Sequence, residues 1–274
     1  MVSVKRFVQD EPELLKASVA FVKQFSSCPD PVLHAAGKAR DLQSKMAWVL
    51  LGTALFQERS FTGFVQLMNA LFEKYPDEKL WILPVPEEAE IQSVVERTFN
   101  SRNWPLFEHV AGIFWSVGSF VRHHPDLAAW AASRTPEEMW RDLGEIYFMG
   151  KGNPRPKACA AIYRIVSPAP LGLGVAYRRT NRMPNLPLTM GARRFLSILG
   201  PAREDGFADL DPAEKQKLAN EFFQAVYPEN PYGVAHALQF FLEEGSEDFI
   251  CRDKTDKCRL CPLYVHCNYA VRHE

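Results

Sequence analysis

Four of the chain's six cysteines fall within seventeen residues, spaced Cys251-x6-Cys258-x2-Cys261-x5-Cys267. Thiolates bind metals, and four in one short loop can surround a single centre, either zinc or an iron–sulfur cluster. Structural zinc sites usually use two short knuckles, often with histidine. Here one C-x2-C is flanked by longer arms, which suits the wider cube of a four-iron (4Fe-4S) cluster. The opening residues MVSVKRFVQDEPELLK lack a basic-then-apolar secretion signal, and no run approaches the ~18 apolar residues of a membrane span. A cytoplasmic protein with reduced thiols is therefore expected, which argues against disulfides. Cys28 and Cys159 lie far from the group and read as buried thiols, and His236 and His266 lack the partners of a metal site.

A second feature is electrostatic. The net charge is only −1, yet Ile146–Arg203 contains no Asp or Glu. That stretch carries Lys151, Arg155, Lys157, Arg164, Arg178, Arg179, Arg182, Arg193, Arg194 and Arg203, so the rest of the chain nets −11. Ordinary surfaces mix the two signs. Ten positive charges without an interspersed acid point to an anionic partner, a nucleic-acid backbone first. Arg252, Lys254 and Lys257 add basic groups inside the cysteine loop, diluted by Asp253 and Asp256.

The elements that must position these groups read as helices. Apolar residues recur at helical spacing over Leu14–Phe25, Met46–Phe56, Phe61–Phe72, Glu87–Thr98, Leu106–Val121, Pro136–Ile146, Lys157–Ile165, Gly191–Leu199, Pro212–Val226 and Gly233–Leu242. Period-2 strands are scarce, so the fold class is all-α. Thr135 and Glu138 fit a capping box, and His123-His124 fall at a helix end, where the dipole favours them. The six tryptophans sit mostly at helical apolar positions and read as core. Ser167–Leu188 is rich in Pro and Gly and reads as a long ordered loop, with Tyr177 as its stacking candidate.

The cysteine spacing resembles that of the endonuclease III-like branch of the helix-hairpin-helix (HhH-GPD) DNA glycosylases, and the resemblance extends upstream. Leu143–Ile162, LGEIYFMGKGNPRPKACAAI, reads as a helix, a glycine turn and a helix opened by Pro156. It is similar to the family's hairpin, lengthened by NPRP. Lys157 then matches the nucleophilic lysine of bifunctional members. A helix N-terminus favours the neutral amine by only about 0.3–1 kcal/mol, so burial must supply the rest. A phosphate contact is the alternative role for Lys157. In LLGTALFQERSF, Gln57 takes the place of the family's gap-filling glutamine, while Thr53 stands where adenine-specific members have a catalytic Glu.

The family's catalytic Asp is missing. The best match to its segment is Pro187–Arg194, PLTMGARR, which puts Thr189 at the Asp position. A neutral hydroxyl cannot stabilise a developing sugar cation, and such a loss typically costs about 10²–10³ in rate. Glu58, Asp142 and Glu145 are the carboxylates that could substitute. The resemblance implies a two-lobed HhH-GPD-like helical fold: a helical barrel over 45–165 ending in the hairpin, a second lobe from 1–44 and 166–250 with the basic loop 167–188, and an iron–sulfur cluster loop over 251–267. It implies cluster ligands Cys251, Cys258, Cys261 and Cys267. It also implies DNA contacts at Gln57, Gly150, Lys151, Gly152, Arg155, Tyr177, Arg178, Arg179, Arg182, Arg194, Arg252, Lys254 and Lys257. The expected function is DNA repair by a monomeric, nucleoid-associated protein. It would bind damaged or abasic double-stranded DNA and act as a glycosylase or abasic-site lyase through Lys157. A non-catalytic DNA-binding protein on the same scaffold is the alternative.

Overall fold

Among the described residues, six helices open on a proline, which has no amide hydrogen to leave unsatisfied and a φ already set for a first helical turn. At four of them the preceding residue, Asp30, Thr135, Asp211 or Asn230, accepts from the exposed first-turn amides. The computed structural model describes residues 4–56, 61–75, 86–99, 106–151, 154–175, 185–202, 206–241 and 261–267. These residues form thirteen α-helices and short 3₁₀ turns, with no strand among them. The all-α class follows directly. The chain divides into two units, Met1–Cys28 with Asn185–Glu274, and Pro29–Pro184.

In the Pro29–Pro184 unit the helices are α3 (Pro31–Ala36), α4 (Leu42–Leu55), α5 (Phe61–Lys74), α6 (Glu88–Thr98), α7 (Val110–His123), α8 (Leu127–Ser133), α9 (Pro136–Leu143) and α10 (Pro156–Val166). Helix α4 is apolar around its whole circumference, and every residue from Met46 to Leu55 is buried. Such a helix belongs at a core centre, and α3, α7, α8 and α10 all pack on it. Residues 29–44 join this unit because α3 lies against α4. Trp48 and Trp130 are buried in this core as expected. Trp115 instead is 48% exposed, its indole N–H donating to the Pro86 carbonyl and its ring facing Arg122. Trp81 and Trp104 lie outside the described residues.

Preceding and following that unit in sequence are α1 (Val4–Asp10), α2 (Pro12–Phe25), α11 (Met190–Ile198), α12 (Pro212–Val226) and α13 (Pro231–Gln239). Their core is aromatic: Phe21, Phe195, Phe222 and Phe241 meet edge-on or tilted. Gly191 lies so close to α13 that a Cβ there would stand 2.1 Å from the Leu238 carbonyl oxygen. Buried His236 is fully used: Nε2–H donates to the Cys28 carbonyl, and Nδ1 accepts from Gln239. The 3₁₀ turn Tyr264–His266 follows Leu263, which is completely buried. One end of the cysteine loop is thus anchored by an apolar side chain.

His124 shows one electrostatic effect overriding another. It caps the end of α7, where the dipole favours the imidazolium. Its ring also packs against Phe120 and Trp130, and that burial lowers its pKa below the usual histidine value. Desolvation wins. A folded pKa below the unfolded one means that the unfolded state binds more protons between the two. The stabilisation is present above the unfolded value of ~6.5 and is lost as pH falls through the folded value. Denaturation midpoints should therefore fall below pH 6.5, with a shallower fall in His124→Phe.

Candidate functional site

The chemistry-bearing residues of the Pro29–Pro184 unit gather where α4 ends and α10 begins. Lys157 lies in the first turn of α10, and its Nζ donates to the Ala54 carbonyl in the last turn of α4. Last-turn carbonyls have no helical partner and sit at the negative end of the dipole, so they hold an ammonium group well. Seven residues on, along the same face of α10, Arg164 reaches back to the same helix end. Its Nη1 donates to Thr53 Oγ1 at 3.3 Å, and its guanidinium lies 5.8 Å from the Phe56 ring centroid.

Arg164 also forms a buried ion pair with Asp30. Nη2 is 3.0 Å from Asp30 Oδ2, and Nε donates to both carboxylate oxygens. The side chains are 4% and 1% exposed. Asp30 Oδ1 in addition caps α3 by accepting from the amides of Val32 and Leu33. One carboxylate therefore ties the start of α3 to α10, and Thr53 ties α4 to the same guanidinium. Thr53, fully enclosed on α4, serves this buried network.

The hairpin between α9 and α10 is built on unusual backbone. Gly150 has φ +105°, Arg155 +47° and Phe148 +68°. For a bulky side chain such a conformation is an outlier that costs on the order of 1–3 kcal/mol. Arg155 is spent locally. Its guanidinium stacks 4.2 Å from the Trp140 ring centroid and donates to the Trp140 carbonyl. The Trp140 indole N–H and the Cys159 thiol both donate to the Pro154 carbonyl. Burial pushes the Cys159 thiol up to about 12, so it stays protonated and unreactive. Lys151 is exposed at the turn.

Beside Lys157 stands a group that sequence reasoning missed. The Lys157 Nζ is 5.9 Å from the Phe148 ring centroid, and the Phe148 ring is 4.8 Å from that of His109. Tyr147 meets Phe148 at 4.7 Å and 89°. The Tyr147 hydroxyl lies 3.2 Å from His109 Nδ1, and its backbone N–H donates to Ser116 Oγ. The one sequence signal was an aromatic pair, YF, immediately before MGKG.

Of the three carboxylates expected as candidates, Asp142 is committed to Trp130 Nε1 and Arg134 Nε. Glu145 is exposed, and Glu58 lies outside the described residues. Thr189 is half-buried in the other unit, where it caps α11 by accepting from the Ala192 amide. Arg194 is on the same helix. Gln57, Gly152, Tyr177, Arg178, Arg179, Arg182, Arg252, Lys254 and Lys257 lie outside the described residues, as do Cys251 and Cys258.

Cys261 and Cys267 bracket the Tyr264–His266 turn, half-buried and in no disulfide. Two accessible sulfur donors on an anchored turn fit a thiolate-held centre in donor chemistry. No group of metal-ligating side chains assembles among the described residues. No helix of the described residues is long and apolar enough to cross a membrane. Neither a protein-family model, a curated protein nor a solved structure matches the chain.

Proposed function

We propose that the chain is a DNA-binding iron–sulfur protein of base-excision-repair type, akin to the helix-hairpin-helix glycosylases, that processes a damaged or abasic nucleotide through Lys157. The observation that carries this reading is the placement of Lys157. It stands in the first turn after a strained glycine hairpin, against the end of α4 and beside the Phe148 ring. Arg155, the N-cap residue of α10, makes no side-chain cap bond to that helix. Within the acid-free stretch Ile146–Arg203, Arg164 is neutralised by Asp30 and Arg155 is stacked on Trp140, and exposed Lys151 at the turn supplies positive charge for a phosphate.

At an abasic site the chemistry is amine addition to the sugar aldehyde. The Lys157 nitrogen bonds to C1′, the carbinol oxygen leaves as water, and a protonated Schiff base remains. Water then takes the C2′ proton, and the electron pair left behind expels the 3′ phosphate. Lys157 must first leave the Ala54 carbonyl and give up a proton, so nucleotide binding has to displace it. Cys251, Cys258, Cys261 and Cys267 would hold the 4Fe-4S cluster. When bound, it supplies cross-links to a loop with little core of its own.

One observation favours the second reading, binding without chemistry. In this structure Lys157 serves as a helix cap on α4 and Thr189 as a helix cap on α11, both structural tasks. Both readings require salt-sensitive binding. Fluorescence anisotropy with an abasic duplex is expected to give a log–log salt slope of about −0.9 per phosphate contacted. Binding that ignores salt contradicts both.

A further inference from the structure

We propose that Tyr147 and Phe148 form an aromatic corner that stacks on one unpaired nucleobase beside Lys157. The inference rests on the nucleic-acid reading and names the part of the ligand that this corner takes.

The starting observation is an exposed aromatic at a well-packed core edge. Ile146 and Met149 are buried and Phe148 is half-buried, packed against the core, yet Tyr147 is 44% exposed. Phe148 also occupies left-handed backbone, at φ +68°. The chain has glycine for such a position two residues later, at Gly150. An aromatic residue at a conformation that glycine takes freely gains nothing from the backbone, so its ring must supply the reason.

The corner is held rather than loose. Helix α7 and its N-cap residue hold Tyr147 at two points. Ser116 Oγ accepts its amide hydrogen at 2.9 Å, and His109 Nδ1 lies 3.2 Å from its hydroxyl. Phe148 then stands perpendicular to Tyr147, with His109 behind it. Two aromatic faces at right angles accept a planar ring on one and cover its edge with the other. Lys157, 5.9 Å from the Phe148 centroid, sets the charge of what binds. A cationic ring is repelled, and a purely apolar one gives the ammonium group nothing. A planar ring joined to an anion, a nucleotide, satisfies both. Stacking of this kind tolerates any base, because every base has a π-face.

The test is a duplex carrying 2-aminopurine opposite an abasic site, titrated with the full-length protein. Wild type should quench the fluorescence, as stacking does. Phe148→Gly should lose the quenching and bind about 5- to 150-fold more weakly. Its thermal midpoint should fall only modestly, because glycine relieves the positive φ while the ring's contact with the core edge is lost. Tyr147→Ala should also lose quenching, whereas Tyr147→Phe should keep it. Quenching and affinity unchanged in both Phe148→Gly and Tyr147→Ala overturn the inference alone. So does a lowered midpoint with unchanged binding, which marks Phe148 as a packing residue. Absence of binding by wild type sinks the nucleic-acid reading and the inference with it.

Discussion

Asp30→Asn is expected to destabilise the protein by about 3–5 kcal/mol, read as a lower urea midpoint of the full chain at constant m-value. Asparagine keeps an oxygen for the amides of Val32 and Leu33, so the α3 cap survives. What is lost is the negative charge beside Arg164, whose side chain is 4% exposed. A guanidinium stripped of water and of its counter-ion is the costly species, more so than the pair was ever favourable. The cost is a large share of a typical domain stability of ~5–15 kcal/mol. Arg164→Met leaves the opposite charge stranded and should cost a similar amount. The double variant should be much less damaging than the two singles combined, since neither charge then remains. A loss below about 1 kcal/mol for Asp30→Asn contradicts a desolvated pair and places it with surface ion pairs.

Lys157→Ala is expected to abolish the covalent adduct that borohydride traps between wild-type protein and abasic-site DNA. The reductant converts the Schiff base into a stable secondary amine, and alanine has no nitrogen to form it. Non-covalent affinity for the same duplex should fall far less, by the worth of one phosphate contact. A lysine that only caps α4 predicts a different pattern: no adduct from wild type, with salt-dependent binding intact. Lys157→Arg discriminates further, because the guanidinium can still donate to the Ala54 carbonyl but stays protonated and cannot attack. It should retain the wild-type thermal midpoint more closely than Lys157→Ala while trapping nothing. An adduct that persists in Lys157→Ala moves the nucleophile elsewhere.

Much of the helical framework was legible because its signals are local. Helical periodicity located α2, α4, α7, α10 and α12, and the prolines and the Thr135–Glu138 box marked several starts. The short helices α1, α3 and α8 carry too few residues to show a period. They are fixed instead by what they pack against. Helix α7 was placed early by Leu106 and Phe107, which are buried but lie before its first turn. Burial and helicity are separate properties, and composition reports only the first.

The site was legible in part. The glycine turn was visible from local composition, and Lys157 was singled out only through the family resemblance. Asp30 was not, because its partner Arg164 lies 134 residues away. Arg155 read as a free positive charge among ten, whereas the fold stacks it on Trp140. No pattern of residue types announces that a cation will be turned inward. Thr189 read as a degraded catalytic position, and its hydroxyl caps a helix. The strained Phe148 was hidden for a plainer reason: a positive φ belongs to the backbone, and a bulky aromatic residue there is an outlier that no sequence pattern marks.

The most direct test of the account is the iron and acid-labile sulfide content of the anaerobically purified and reconstituted chain, read with its visible absorption. Four iron and four sulfide per chain, with a broad visible band lost in Cys261→Ser or Cys267→Ser, is the result expected for a 4Fe-4S cluster in the Cys251–Cys267 loop. A colourless, iron-free protein after reconstitution, or one holding a single zinc, contradicts it and removes the basis for the glycosylase lineage and for the role given to Lys157.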